Sequence, residues 1–196
     1  MGKKLKRLLF SEILVDSTPT QKVAYISIMT ALCVIANMFF EFKFADTQFS
    51  LTIFFSAFTG FIIGPLFGAA AAFLGDLVGF LYNSGGFAYY PWIGIAMASV
   101  ALISGLIMNG VDIKRKGALY VKIAITAVLT FFISTIGINT TAFWISFFSN
   151  IPYFEYALTR LFANGQIYNS IVNYIALFIA FPTLIELKKT IIKNKN

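Results

Sequence analysis

Residues 51–82 read LTIFFSAFTGFIIGPLFGAAAAFLGDLVGFLY, a stretch whose only charge is Asp76. A membrane-spanning helix needs about 20 mostly apolar residues. This stretch offers two shorter apolar runs, 51–63 and 66–82, separated by Gly64-Pro65. Proline cannot continue the helical hydrogen-bond ladder and glycine is free to turn, so the pair reads as a break between two helices. Working outward, further apolar runs occupy residues 23–40, 91–108, 119–143 and 167–187. Pro91 suits a first helical turn, and Pro182 suits a kink or an end. The pattern predicts an all-α integral membrane protein with six transmembrane helices.

Composition agrees. Hydrophobic residues make up 59% of the chain and charged residues only 12%, against about 25% charged in a soluble domain. One globule cannot hide that much Phe, Ile, Leu and Ala, and a bilayer accepts it. The segment after the basic residues 3–7 is interrupted by Ser11, Glu12 and Asp16, which does not read as a cleavable signal peptide. One cysteine, Cys33, excludes an internal disulfide and a multi-cysteine metal site. The absence of histidine removes the commonest general base and zinc ligand. No phosphate-binding glycine loop, HExxH or spaced-arginine helix occurs. No enzyme, metal or cofactor chemistry is expected.

The net charge of +7 reads as topology rather than as nucleic-acid binding. Lys3, Lys4, Lys6, Arg7, Lys22, Lys114, Arg115, Lys116, Lys122, Lys188, Lys189, Lys193 and Lys195 are 13 of the 15 basic residues, and six crossings place them all on one side. By the positive-inside rule both termini are then cytoplasmic. The expected organisation is a cytoplasmic amino-terminal segment (1–21), a six-helix membrane domain (22–187) and a basic cytoplasmic tail (188–196).

The opposite loops, 41–50, 83–90 and 144–166, are aromatic and hold only Lys43 and Arg160 as cations. An interfacial aromatic belt accounts for part of this. The remainder could line a ligand pocket, with polar groups drawn from Lys43, Asp46, Gln48, Asn83, Asn139, Thr140, Glu155 and Arg160. Asp76, inside a spanning run, is either a ligand contact or a group tethering neighbouring helices. Small residues three or four apart, Gly60, Gly64 and Gly68, then Gly75 and Gly79, and Gly94, Ala98, Ala101 and Gly105, suit close helix packing, inside the bundle or against a partner.

Residues 61–68 (FIIGPLFG) and 73–79 (FLGDLVG) together resemble the second-to-third helix signature of S components of energy-coupling factor (ECF) transporters, most closely their folate family. Asn139-Thr-Thr-Ala-Phe-Trp144 is similar to the family's Asn-Thr-x-x-Leu-Trp, and Arg160-Leu161 to the pair that opens its last segment. Pro91-Trp92 replaces the family's Pro-Gly step. The resemblance implies a small bacterial plasma-membrane subunit that captures one vitamin from outside. It further implies a membrane scaffold subunit and two cytoplasmic ATPases as partners, with Ser27 and Ala31 nearest to the family's scaffold-facing small-residue pair. A folate-like ligand would stack between Tyr89, Tyr90, Trp92 and Trp144. Asn139, Thr140 and Asp76 would read its ring edges, and Arg160 or Lys43 would pair its carboxylate. An S component for another vitamin or a queuosine precursor, and an assembly subunit without a ligand, remain the alternatives.

Overall fold

The computed structural model describes residues 3–44, 47–82, 88–110 and 116–193. A kinked helix, α1 (Lys3–Val15), precedes α2 (Pro19–Phe39) and a two-stranded antiparallel hairpin, β1 (Glu41–Phe44) and β2 (Thr47–Ser50). Helices α3 (Thr52–Ile63), α4 (Pro65–Tyr82) and α5 (Pro91–Gly110) follow. The next traverse is one continuous rod. It comprises α6 (Lys116–Thr130), a π-helical stretch (Phe131–Thr140) and α7 (Thr141–Phe147). A short α8 (Tyr153–Leu158) leads through a second π-helical turn (Thr159–Ala163) to α9 (Gln166–Lys193). The hairpin and α8 lie at one end of the bundle, and α1 and the carboxyl end of α9 at the other.

Five stretches are long and apolar enough to cross a membrane: Pro19–Phe39, Pro65–Tyr82, Pro91–Gly110, Gly117–Phe147 and Gln166–Lys188. A further apolar helix, Thr52–Ile63, is shorter. At 1.5 Å per residue α3 spans about 18 Å, against a hydrocarbon core of about 30 Å. It is nevertheless the centre of the molecule, with Ile53, Ala57, Phe61, Ile62 and Ile63 all buried.

A short central helix exposes its end groups to an apolar medium, and each end is satisfied from outside. At its start the Asn173 amide of α9 bridges one helical step. Nδ2 donates to the Ser50 carbonyl at 2.6 Å, and Oδ1 accepts from the Phe54 N–H at 2.9 Å. Asn169 Oδ1 accepts from the Ser50 N–H at 2.9 Å. At its end the Phe61 carbonyl faces Pro65, which has no N–H to give it. Asn109 Nδ2 and Lys188 Nζ supply the missing donors, each at 3.2 Å. Ser11 Oγ donates to the Ile62 carbonyl at 2.7 Å. Helix α9 therefore runs alongside α3 as a splint, with Asn173 holding one end and Lys188 the other.

The glycine pattern is resolved in favour of internal packing. A Cβ on Gly68 would sit 2.6 Å from the Gly60 Cα, and one on Gly105 would sit 2.7 Å from the Pro65 Cα. Gly60 likewise lies directly against the Ala101 backbone. Three helices thus meet backbone to backbone at the α3–α4 turn. Gly64 makes that turn with φ +90°, a conformation that L side chains rarely adopt.

Some expectations need adjustment. Helix α2 begins at Pro19, because Thr18 and Gln21 form a reciprocal capping box. Pro182 does not end α9, which continues to Lys193. Residues 3–15 form a helix rather than a plain lead-in, with Ile13 and Leu14 buried in the bundle. Lys188, counted above as a tail cation, is buried.

Asn173→Leu, which strips the Ser50 carbonyl and the Phe54 N–H of their side-chain partner, and Lys188→Met, which takes one donor from the Phe61 carbonyl and the donor of Asn109 Oδ1, should each lower thermal stability in detergent by about 1–3 kcal/mol. Thr190→Ala, at an exposed position of the same helix, should stay within about 0.5 kcal/mol.

Candidate functional site

At the hairpin end the two π-helical segments bring together residues 21 apart in sequence. A π turn inserts an extra residue and widens the helix, and such turns recur at functional sites. Here the widening is supported by side chains: Thr140 Oγ1 donates to the Thr135 carbonyl at 2.8 Å and Thr141 Oγ1 to the Ile136 carbonyl at 3.1 Å. Asn139 lies in the first π segment and Arg160 in the second. The Arg160 Nη2 donates to Asn139 Oδ1 at 3.2 Å, Nη1 donates to the Tyr156 hydroxyl at 3.2 Å, and the guanidinium lies 4.3 Å over the Phe143 ring. These partners are all uncharged. The Arg160 Nε is buried without a hydrogen-bond partner.

Arg160 lines a cavity of about 360 Å³ together with Phe143, Phe148, Ile151, Glu155, Tyr156, Thr159 and Asn164. The volume falls within the range of small-molecule sites. Phe148 and Tyr156 stack at 4.8 Å between centroids, forming a flat aromatic wall. Tyr90 packs against Phe143 instead, with ring centroids 4.7 Å apart, and its hydroxyl lies 2.6 Å from both the Ala142 carbonyl and Ser146 Oγ. Trp144 stands edge-on to Tyr153 and donates from Nε1 to the Ile151 carbonyl at 2.8 Å, which braces the turn leading into α8.

The other candidate residues lie elsewhere. Asp76 is buried in α4, where Oδ1 accepts from Asn37 Nδ2 at 3.1 Å and Oδ2 from the Tyr89 hydroxyl at 2.9 Å. Burial, and then the Asp76 charge, push the Tyr89 phenol well above its ordinary range, so it stays a donor. Gly79 leaves room for Asn37, and Gly94 for the Tyr89 hydroxyl. The carboxylate ties α2, α4 and the segment before α5, and it borders a second, polar cavity with room for about one water between Cys33, Asn37, Thr52 and Ser56. Thr140 is fully buried and bonded to its own helix. Trp92 is half exposed on the first turn of α5. Lys43 sits on β1 in register with Gln48. Its side chain lies outside the described residues, as do Asp46 and Asn83. Ser27 and Ala31 both occur on the exposed side of α2.

The sequence reading did not single out Phe143, Ile151, Thr159 or Asn164 as site residues. Tyr156 had a signal, since it precedes Arg160 by one helical turn. Among the described residues, no group of three or more His, Cys, Asp or Glu could hold a metal ion.

Tyr89→Phe should leave Asp76 Oδ2 without its donor and lower stability by about 1–3 kcal/mol. Differential scanning fluorimetry of the purified protein reads this directly.

A family model described as ECF-type riboflavin transporter, S component, matches residues 17–189. No curated protein matches the chain.

Proposed function

The chain belongs to the ECF-type riboflavin transporter S component family, and from that membership we propose that it captures riboflavin, or a vitamin of the same flat heteroaromatic class, in the aromatic pocket beside Arg160. As a member of the family the chain is a transporter subunit of the plasma membrane, not an enzyme. The observation that carries the ligand reading is the guanidinium at the pocket wall, held by three uncharged groups with no carboxylate paired to neutralise it among the described residues. A tricyclic ring with carbonyl edges suits a stacked aromatic wall and a planar cation that donates in-plane hydrogen bonds. Glu155, Thr159 and Asn164 give the pocket a polar, exposed rim that suits a hydroxylated side chain.

Folate or a reduced folate is the second reading. It is favoured by the same guanidinium, whose positive charge is free to take a carboxylate through two parallel hydrogen bonds.

The charge distribution supports an orientation in which the pocket opens outward and both termini face the cytoplasm. In that orientation the ligand is taken from outside, and a membrane scaffold subunit with two ATPases supplies energy from within. The exposed Ser27–Ala31 face of α2 is the proposed scaffold contact, because small residues let helices approach closely.

Purified protein should be stabilised by riboflavin in a panel that also contains folate, 5-formyl-tetrahydrofolate, thiamine and pantothenate. At 100 times the dissociation constant the gain is about 2.7 kcal/mol, and Arg160→Ala should abolish it. A shift with folates alone would select the second reading, and no shift with any vitamin would count against ligand capture. Orientation has its own test, since the single native cysteine is buried. An impermeant maleimide applied to intact cells should label Ser149→Cys and leave Thr190→Cys unlabelled.

A further inference from the structure

Helix α1 lies at the end of the bundle away from the vitamin pocket and has no part in it. We propose that α1 is a membrane-surface helix whose basic first half binds the headgroups of anionic lipids. Its second half is fixed in the protein. Ser11 breaks the helix with φ 56°, a strained value for a residue with a side chain. Its hydroxyl is held by the Ile62 carbonyl at 2.7 Å. Phe10 packs on Phe67 at 5.6 Å, and Ile13 and Leu14 are buried. The kink therefore anchors α1 at the α3–α4 turn and sets the direction of the first half.

That first half carries Lys3, Lys4, Lys6 and Arg7 with no acidic residue before Glu12. In the sequence the basic positions 3, 4, 6 and 7 alternate with the apolar positions 5, 8 and 9 at helical spacing. Leu8 and Leu9 are half-buried. Only three residues, 16–18, separate α1 from Pro19, the start of the first long apolar helix. So short a link confines α1 to the membrane interface, where an amphipathic basic helix meets anionic headgroups favourably. The occupant that complements four clustered cations at that depth is lipid phosphate.

The full-length protein in phosphatidylcholine nanodiscs, with and without phosphatidylglycerol, tests the proposal by thermal unfolding and by native mass spectrometry of retained lipid. Phosphatidylglycerol should raise the melting temperature, less so in high salt, which screens surface charge. The variant Lys3→Gln, Lys4→Gln, Lys6→Gln and Arg7→Gln should lose most of that shift and its retained phosphatidylglycerol. Lys114→Gln, Arg115→Gln and Lys116→Gln together should keep both. Equal loss in the two variants would mean diffuse charge attraction and would overturn the proposal, as would an undiminished shift in the first. An equal shift from soluble glycerol phosphate would assign the basic half to a free anion instead. Loss of assembly with partner subunits at unchanged lipid retention would assign it to protein. Vitamin binding measured on the same samples tests the proposed function separately, and its presence or absence does not affect the lipid comparison.

Discussion

A helix of 12 residues at the centre of a membrane bundle is the constraint on which the rest of this structure depends. In water its unpaired end groups would be solvated. In an apolar medium each costs several kcal/mol unless a partner is found. The partners come from elements far away in sequence: Asn169, Asn173 and Lys188 of α9, Asn109 of α5 and Ser11 of α1. Satisfying α3 therefore fixes where α9 runs, how α5 crosses and why α1 docks. The Gly60, Gly68 and Gly105 contacts then allow backbones to approach closely enough for those side chains to reach.

The functional end is built on the opposite device. Where α3 is tight, the traverse after α6 is loosened into ten residues of π-helix, stabilised by threonine hydroxyls reaching five residues back. The wider turn presents Asn139 to Arg160, which is itself on a π turn. Two irregular segments hold one cation beside aromatic rings, the arrangement from which capture of a planar ligand is proposed. Asp76 does a different job nearby. Pinned by Asn37 and Tyr89, it secures the segment that brings Tyr90 up behind Phe143.

Much of this was legible in the sequence, because a bilayer makes hydropathy a strict code. The apolar runs correspond to the helices to within a few residues, and the Gly64-Pro65 break is where it was expected. The Thr18-Pro19-Gln21 capping box was equally readable and moves the start of α2. What could not be read is long-range. Nothing near Asn173 or Lys188 in sequence says that they close the ends of α3, and Lys188 reads as one more cytoplasmic charge. The π turns carry no local signature. Asn139 and Arg160 stood out by residue type and motif, whereas Phe143 and Thr159 became pocket walls only through the turn between α7 and α8. The family resemblance reached the S component correctly. The ligand subclass depends on pocket shape, which periodicity does not encode.

The central claim is that a flat vitamin stacks in the pocket beside Arg160. Flavin fluorescence measures it most directly, because stacking on aromatic rings quenches the emission of the isoalloxazine ring. Titrating riboflavin with the purified protein should give saturable quenching that Phe143→Ala weakens strongly and that Trp92→Ala, at its half-exposed position, leaves unchanged. Quenching that is absent, or that Trp92→Ala removes while Phe143→Ala does not, would contradict the account.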